Sequence, residues 1–352
     1  SVKSHDAIII GGGIIGLSLA LELRKRSMTV LIIDRAEPGR EASHAAGGML
    51  VDSPDETASH LQPLATTSAK MFPEFVRELE IESGMKIDLR DQGTIVLHSS
   101  ENPRGQKLSP ADLATLEPAL GETNRPAIFL QERSVDPRQL TAAALHAGRR
   151  LGVDFSSGDP VTAINFSDDH VSGVTTTKTS FFSEIAINCA GAWAGQIAPR
   201  NFPTRPVKGQ MLYLVAPRRD LLKHVIRAPE AYIIPRSDGR ILVGTTMEEA
   251  GFDKRTDPAV IQRLHRAGIA LVPDLRDAKI LEDWAGLRPG TPDAIPILGA
   301  TSTPGYYAAT GHFRDGILLA PITAKLMAQV ISGSKPALDL TPFSLARFTN
   351  AA

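Results

Sequence analysis

Three glycines, Gly11, Gly13 and Gly16, sit in the run GGGIIG. Their spacing lets a backbone turn tightly, approach a pyrophosphate closely and open a helix whose first N–H groups face an anion. The run follows the apolar stretch AIII, and Asp34 stands 18 residues beyond Gly16, where a carboxylate can accept hydrogen bonds from an adenosine ribose. The chemistry is dinucleotide binding; the motif alone does not choose between a flavin and a nicotinamide. A second candidate is Arg288, in WAGLRPGTPDAIPILG, where only Arg288 and Asp293 are charged amid apolar, Gly and Pro residues. A guanidinium entering a dry environment is costly unless an anion meets it, and its planar fork suits a carboxylate. A third is GHFRDG, which ends where an apolar helix begins and offers negative charge another helix N-terminus.

Elements that would carry these residues follow from the hydrophobic pattern. A buried strand is expected over 6–10, a helix over 17–26 and a second strand over 29–33, which together make a βαβ unit. Asp136, Pro137 and Gly152 mark the cap, first turn and end of another helix. Strands over 161–166 and 171–177 flank a turn at 167–170, 181–190 reads as one buried strand, and a helix is expected from Trp193. From Pro206 the chain turns β-rich, with strands over 210–215, 231–234 and 241–245, the last two joined at 237–239. A helical insert covers 258–271, a short strand 305–311 and a strongly apolar helix 316–331. Dinucleotide-type segments thus lie at the start, middle and end of the chain. The expected fold class is α/β (α+β): a Rossmann-like domain of residues 1–85, 140–205 and 283–352, interleaved with a β-rich domain of 86–139 and 206–282.

Composition narrows the functions. The 352 residues carry a formal net charge of −1, which argues against a nucleic-acid surface or a polybasic membrane patch. No apolar run reaches the roughly 18 residues needed to span a bilayer. The apolar stretch 7–20 is interrupted by glycines and continues as a helix, so it is not expected to be a signal segment. The nine histidines show no metal-ligand spacing, and no metal is expected. With one cysteine, Cys189, no intrachain disulfide can form, which points to a soluble protein of the reducing cytoplasm.

Seven stretches, spread in order over nearly the whole chain, carry a resemblance: DAIIIGGGIIGLSLA, GREASHAAGGML, INCAGAWAG, RPVKGQMLYL, YIIPRSDGRILVGTTME, WAGLRPGTPDAIPILG and GHFRDGILLAPIT. Together they resemble the FAD-dependent glycine oxidases of the D-amino-acid oxidase family. The resemblance implies an FAD-binding domain and a substrate domain built on a large antiparallel sheet. It also implies oxidative deamination: a hydride passes from the substrate Cα to flavin N5, O2 reoxidises the flavin to give H2O2, and the imine hydrolyses to ammonia and a 2-oxo acid. By position, Gly11, Gly13, Ile14, Ile15, Gly16, Asp34, Arg35, Ala42, Ser43, Gly47, Gly48 and Met49 should line the FAD. Val161 matches the adenine end, Gly191 the middle motif, and His312, Phe313, Arg314, Asp315, Gly316, Ile317 and Leu318 the stretch along the flavin ring.

For the substrate, Arg288 matches the family's carboxylate-binding arginine, Tyr232 the assisting tyrosine, Arg314 a second pocket arginine and Met247 an apolar wall. The family mechanism needs a neutral amine more than a strong base, so no general base is assigned. Some glycine oxidases carry a His where this chain has Glu230, which could alter the preferred amine. His44 falls one residue off the site at which related dimethylglycine and sarcosine dehydrogenases bond covalently to flavin, so non-covalent FAD is expected. The enzymatic alternative is a sarcosine or other N-substituted glycine oxidase, or a dehydrogenase acting on a larger N-carboxymethyl amine. An NAD-dependent dehydrogenase is disfavoured, because 42–50 and 312–318 have flavin-family roles and no nicotinamide one; a flavoprotein kept only as a binding or assembly factor is disfavoured by Arg288 and Tyr232 standing together. The resemblance further implies possible tetramers and supply of an imine for the thiazole of thiamine.

Overall fold

The computed structural model describes residues 4–98 and 105–348. Two large sheets dominate it. The first has the order Ile297–Ala300, Tyr306–Thr310, Ala186–Asn188, Ala7–Ile10, Val30–Ile33, Asp154–Ser156, and only Ile297–Ala300 runs antiparallel to its neighbour. Its central strands are buried on both faces, which is why Ala7–Ile10 and Val30–Ile33 read as continuous apolar runs rather than alternating ones. The helices Ile14–Lys25, Gln62–Ser83, Pro137–Arg150 and Gly316–Ile331 share one core with them.

The second sheet has eight strands, in the order Lys279–Gly290, Arg205–Val215, Arg240–Gly244, Ala231–Pro235, Val225–Ala228, Thr94–Leu97, Ala127–Leu130, Gln106–Leu108. All pairs are antiparallel except Val225–Ala228 with Thr94–Leu97. Alternation sorts its faces. Ile233, Leu212 and Val243 pack in the core that includes helix Pro258–Leu271, while Tyr232, Ile234, Tyr213 and Trp284 face the short helix Ala42–Ala45. Trp284 Nε1 donates to the Ala45 carbonyl at 3.1 Å. Gly286 is required there, because a Cβ on it would lie 2.3 Å from that of Ala45.

Several expectations shift. The first helix begins at Ile14 rather than 17, because glycine lets its first turn press on the preceding strand: a Cβ on Gly16 would lie 2.0 Å from the Gly11 carbonyl oxygen. The stretch 181–190 is two strands, not one. Ser180–Phe182 joins the hairpin of Val161–Ser167 and His170–Thr176, whose turn residues Asp168 and Asp169 both have positive φ. Ala186–Asn188 joins the parallel sheet, and the Ser183 hydroxyl turns the chain between them by donating to the Asp6 and Ile185 carbonyls. After Trp193 there is only a 3-10 turn, Gly191–Gln196, since the Asn188 side chain takes the Ala194 carbonyl. The stretch around Arg288 is the end of a twelve-residue strand, which continues to Gly290 in the large sheet, past the expected boundary at 283. The long helix Gln62–Ser83 had no counterpart in the pattern reading.

Candidate active site

A cavity of about 910 Å³ lies between the two sheets and is walled by residues from both. At one end stand Gly11, Gly13 and the start of helix Ile14–Lys25. Gly11 has φ of +104°, and a Cβ there would lie 2.3 Å from the Cys189 carbonyl oxygen, so only glycine fits. Burial pushes the Cys189 thiol up, so it stays protonated. Asp34 is buried beside the loop, its Oδ2 accepting from the Gly12 N–H at 2.7 Å and its Oδ1 from Ala36 at 2.9 Å. The Ser43 hydroxyl accepts from the Ile14 N–H at 2.9 Å, which ties 42–45 to the loop. Arg35 lies 4.4 Å over the Trp193 ring.

Two helix N-termini open on the cavity, those of Ile14–Lys25 and Gly316–Ile331; neither N-cap residue, Gly13 or Asp315, makes a side-chain cap, and on the first only the Ile14 N–H is taken, by the Ser43 hydroxyl. The helices Pro137–Arg150 and Pro258–Leu271, which end elsewhere, are capped by Asp136 and Asp257. Uncapped N–H groups at a cavity suit anions. Together with the side-chain-free backbone at Gly13 and the Asp34 carboxylate, they fit the phosphates and ribose of a dinucleotide.

The expected cofactor residues gather here. Ile15, Arg35, Ala42, Gly47, Gly48, Met49, Val161, Gly191 and 312–317 all line the cavity wall. Gly16 and Leu318 do not: Gly16 is spent on helix–strand contact, and Leu318 is buried in the core with its carbonyl accepting from the Ser68 hydroxyl. His312 is buried and its ring contacts the Thr323 hydroxyl at 3.1 Å; burial drives its pKa down to about 3, so the imidazole is neutral. Asp315 makes no capping bond, and burial raises its carboxyl to about 6, with Arg314 opposing slightly. His44 is off the cavity wall, and burial together with Arg138 and Arg40 lowers it to about 4.

The other end of the cavity is made of side chains from the large sheet. Arg288 donates to the Thr246 carbonyl and to the Thr245 hydroxyl, each at 3.1 Å. Its guanidinium lies against Gly209, where a Cβ would stand 2.5 Å from Nη2. Among the described residues no carboxylate comes within ion-pair distance of it. Burial, helped by the charge of Arg314, lowers its pKa. The Tyr232 ring lies against Gly244, where a Cβ would come within 2.6 Å, and burial raises its hydroxyl, which lies near Thr245 and Arg288. The Gly244–Thr245 peptide beside it is cis. Met247 and Arg314 also line the wall, Met247 59% exposed and Arg314 at the solvent side. Glu230 reaches the same wall but is held by Arg125 through two hydrogen bonds, one of 2.9 Å, which keeps its carboxyl below the usual range. Thr245 and the triad Glu56–Arg227–Glu132 were not foreseen. Thr245 follows Gly244 in VGTTME, but nothing in that stretch signals that its hydroxyl meets an arginine from another strand. Among the described residues no group of side chains could hold a metal ion.

Comparison with known proteins agrees with this geometry. The model of the FAD dependent oxidoreductase family matches residues 6–330. The chain belongs to that family. FAD is accordingly its cofactor. It is similar to the glycine oxidase of Geobacillus kaustophilus, at 34% identity over 97% of each chain. The crystal structure of that organism's glycine oxidase superposes with a TM-score of 0.93 at 32% identity, covering 98% of this chain and 99% of the other. The chain is also 35% identical, over 99% of its length, to the bifunctional protein ThiO/ThiG of Trichormus variabilis, of which it spans only 56%. The first curated relatives it matches are thus about twice its length. No helix among the described residues is long and apolar enough to cross a membrane.

Proposed function

We propose that this chain is an FAD-dependent oxidase that oxidatively deaminates glycine or a closely related small amino acid, releasing ammonia, a 2-oxo acid and hydrogen peroxide. One observation carries the reading: Arg288, on the wall of a flavin-family cavity, has hydrogen bonds to neutral oxygens but no carboxylate among the described residues. A partly buried guanidinium that faces a cavity in that state has its charge to offer a ligand. Its remaining donors would clamp the substrate carboxylate, and the Tyr232 hydroxyl would assist at the same group. Arg314 would add positive charge at the mouth, and Met247 an apolar wall.

With the carboxylate fixed, the Cα of a small amino acid is held in one orientation. Bound FAD would supply the two-electron acceptor for the Cα–H. Gly11, Gly13, Asp34, Ser43 and the two helix starts would hold its nucleotide and ring portions. The start of Gly316–Ile331 would favour negative charge at the ring. Among the described residues no side chain at this end is placed as a strong base. Glu230 is tied to Arg125, His312 faces Thr323, and Arg288 and Tyr232 hold their protons. The amine therefore has to arrive neutral.

FAD held without a covalent bond is the reading that the place of His44, off the cavity wall, supports. Membership of the two large sheets supports dividing the chain into a cofactor unit and a substrate unit, with the strand to Gly290 counted in the second. Similarity to a fused ThiO/ThiG protein supports a place in thiamine thiazole supply. A single buried cysteine supports a reducing cytoplasm. The experiment is peroxide release from the FAD-loaded protein with glycine, sarcosine, N-ethylglycine and D-alanine. Glycine should lead or share the lead, and silence on all four would remove the oxidase.

A further inference from the structure

Arg236 has the largest fully buried side chain among the described residues, and no carboxylate there lies within ion-pair distance of it. It follows Pro235 at the end of strand Ala231–Pro235, so Tyr232, Ile234 and Arg236 fall on one face. Its guanidinium spends all three nitrogens on neutral oxygens. Nη2 donates to the Gly47 carbonyl at 2.7 Å, Nη1 to the Val135 carbonyl at 3.2 Å and Nε to the Tyr213 hydroxyl at 3.0 Å. The nearby Asp136 carboxylate is taken by Arg240 at 2.7 Å.

These acceptors belong to one joint. The Val135 N–H donates to the Gly48 carbonyl at 2.9 Å, and a Cβ on Gly48, whose φ is +84°, would lie 2.0 Å from the Val135 carbonyl oxygen. A Cβ on Gly47 would lie 2.9 Å from Ile234 Cδ1 and 3.7 Å from the Tyr232 hydroxyl. The Gly47–Gly48 segment is therefore pressed between the strand that carries Tyr232 and the segment that carries Val135, and one guanidinium ties all three. A buried cation on neutral acceptors alone is an expensive way to make a joint. A planar fork is what can span two carbonyls and a hydroxyl at once.

We propose that Arg236 is a positioning residue, which sets the cofactor-facing Gly47–Gly48 segment in register with Tyr232, and through it the spacing between flavin and substrate. This rests on the reading that Gly47–Gly48 lines FAD and Tyr232 the substrate. Arg236→Lys is the test, since an ammonium keeps the charge but cannot span both carbonyls. FAD affinity of the apoprotein should fall by about 10-fold, the loss of one or two charge-assisted hydrogen bonds. At saturating FAD, the limiting rate of flavin reduction by glycine should also fall by about 10-fold, while the glycine concentration for half-saturation stays within about 3-fold, because Arg288 is untouched. Tyr213→Phe, which removes only the Nε acceptor, should move both quantities in the same direction by a smaller factor.

A merely structural arginine would lower thermal stability yet leave the FAD-loaded reduction rate within two-fold of wild type, and that result would overturn the proposal. Should Arg236→Lys fail to fold, Tyr213→Phe decides alone: unchanged affinity and rate would overturn it. Wild-type protein that neither binds FAD nor reacts with glycine would instead sink the underlying functional reading.

Discussion

The two ends of the cavity are built on opposite principles. The end proposed for the nucleotide is mostly backbone: glycines, two helix starts whose own N-cap residues make no side-chain cap, and one carboxylate, all set at the ends of parallel strands. The end proposed for the substrate is side chain: Arg288 and Tyr232 from two strands of the large sheet and Thr245 from just past the end of a third, converging on a space between sheets. At Gly11 the first tolerates no added atom. The second is defined by the charge of Arg288, which has no counterion among the described residues. A backbone site should therefore break by steric insertion and lose cofactor, whereas a side-chain site should break by chemistry and lose substrate.

The largest effect is expected from Gly11→Ala. Its Cβ would stand 2.3 Å from the Cys189 carbonyl oxygen at a φ of +104°. Strain and displaced backbone should cost about 2–4 kcal/mol, seen as a lower melting temperature and loss of bound FAD. Retention of both would mean that the loop is not the tight turn described. Next, Arg288→Lys should leave FAD binding intact and raise the KM for glycine by about 10-fold or more, the cost of a lost bidentate, charge-assisted contact. Near-normal KM would take Arg288 out of the substrate end.

Asp315 tests the boundary between the two ends. Burial raises its folded pKa to about 6, above the ordinary carboxyl value of 3.8. The folded apoprotein therefore holds the proton more tightly than the unfolded chain. The stability linked to this group is full below about pH 4, declines as pH rises through about 6 and is flat beyond. Asp315→Asn should stabilise the apoprotein at pH 8, by about 1–2 kcal/mol after discounting for partial exposure, with no gain near pH 4. Urea melts across that range would read it, and a gain independent of pH would contradict it. The smallest effect is expected from Glu230→Gln. Its carboxylate is already matched by Arg125 near the surface, so stability should change by less than about 1 kcal/mol and glycine kinetics by less than about two-fold.

The same contrast explains what could be read in the sequence. Glycine spacing, a following acid and helix caps are local and periodic, so the phosphate loop, Asp34, helix Pro137–Arg150 and helix Gly316–Ile331 could be placed from the chain alone. The helix start at Ile14 was missed because the close approach of Gly16 to Gly11 is tertiary. The split of 181–190 was missed because an apolar run does not announce which of two sheets will take it. At the substrate end, Arg288 drew notice as a charge in a dry stretch, but its strand, its contact with Thr245 and its place beside Tyr232 depend on cross-strand register between distant segments. Arg236 is illegible in the sequence for the same reason. The i, i+2, i+4 spacing from Tyr232 puts it on the right face, yet only the fold brings Gly47 and Val135 to it.

The most direct test of the account is the visible spectrum of the FAD-loaded protein under anaerobic glycine. Bleaching of the flavin band, with colour restored on admitting air, is the predicted result, and Arg288→Lys should need about 10-fold more glycine to reach it. A flavin band that stays unchanged with saturating glycine, sarcosine, N-ethylglycine and D-alanine would contradict the claim that Arg288 holds an amino-acid carboxylate beside the cofactor.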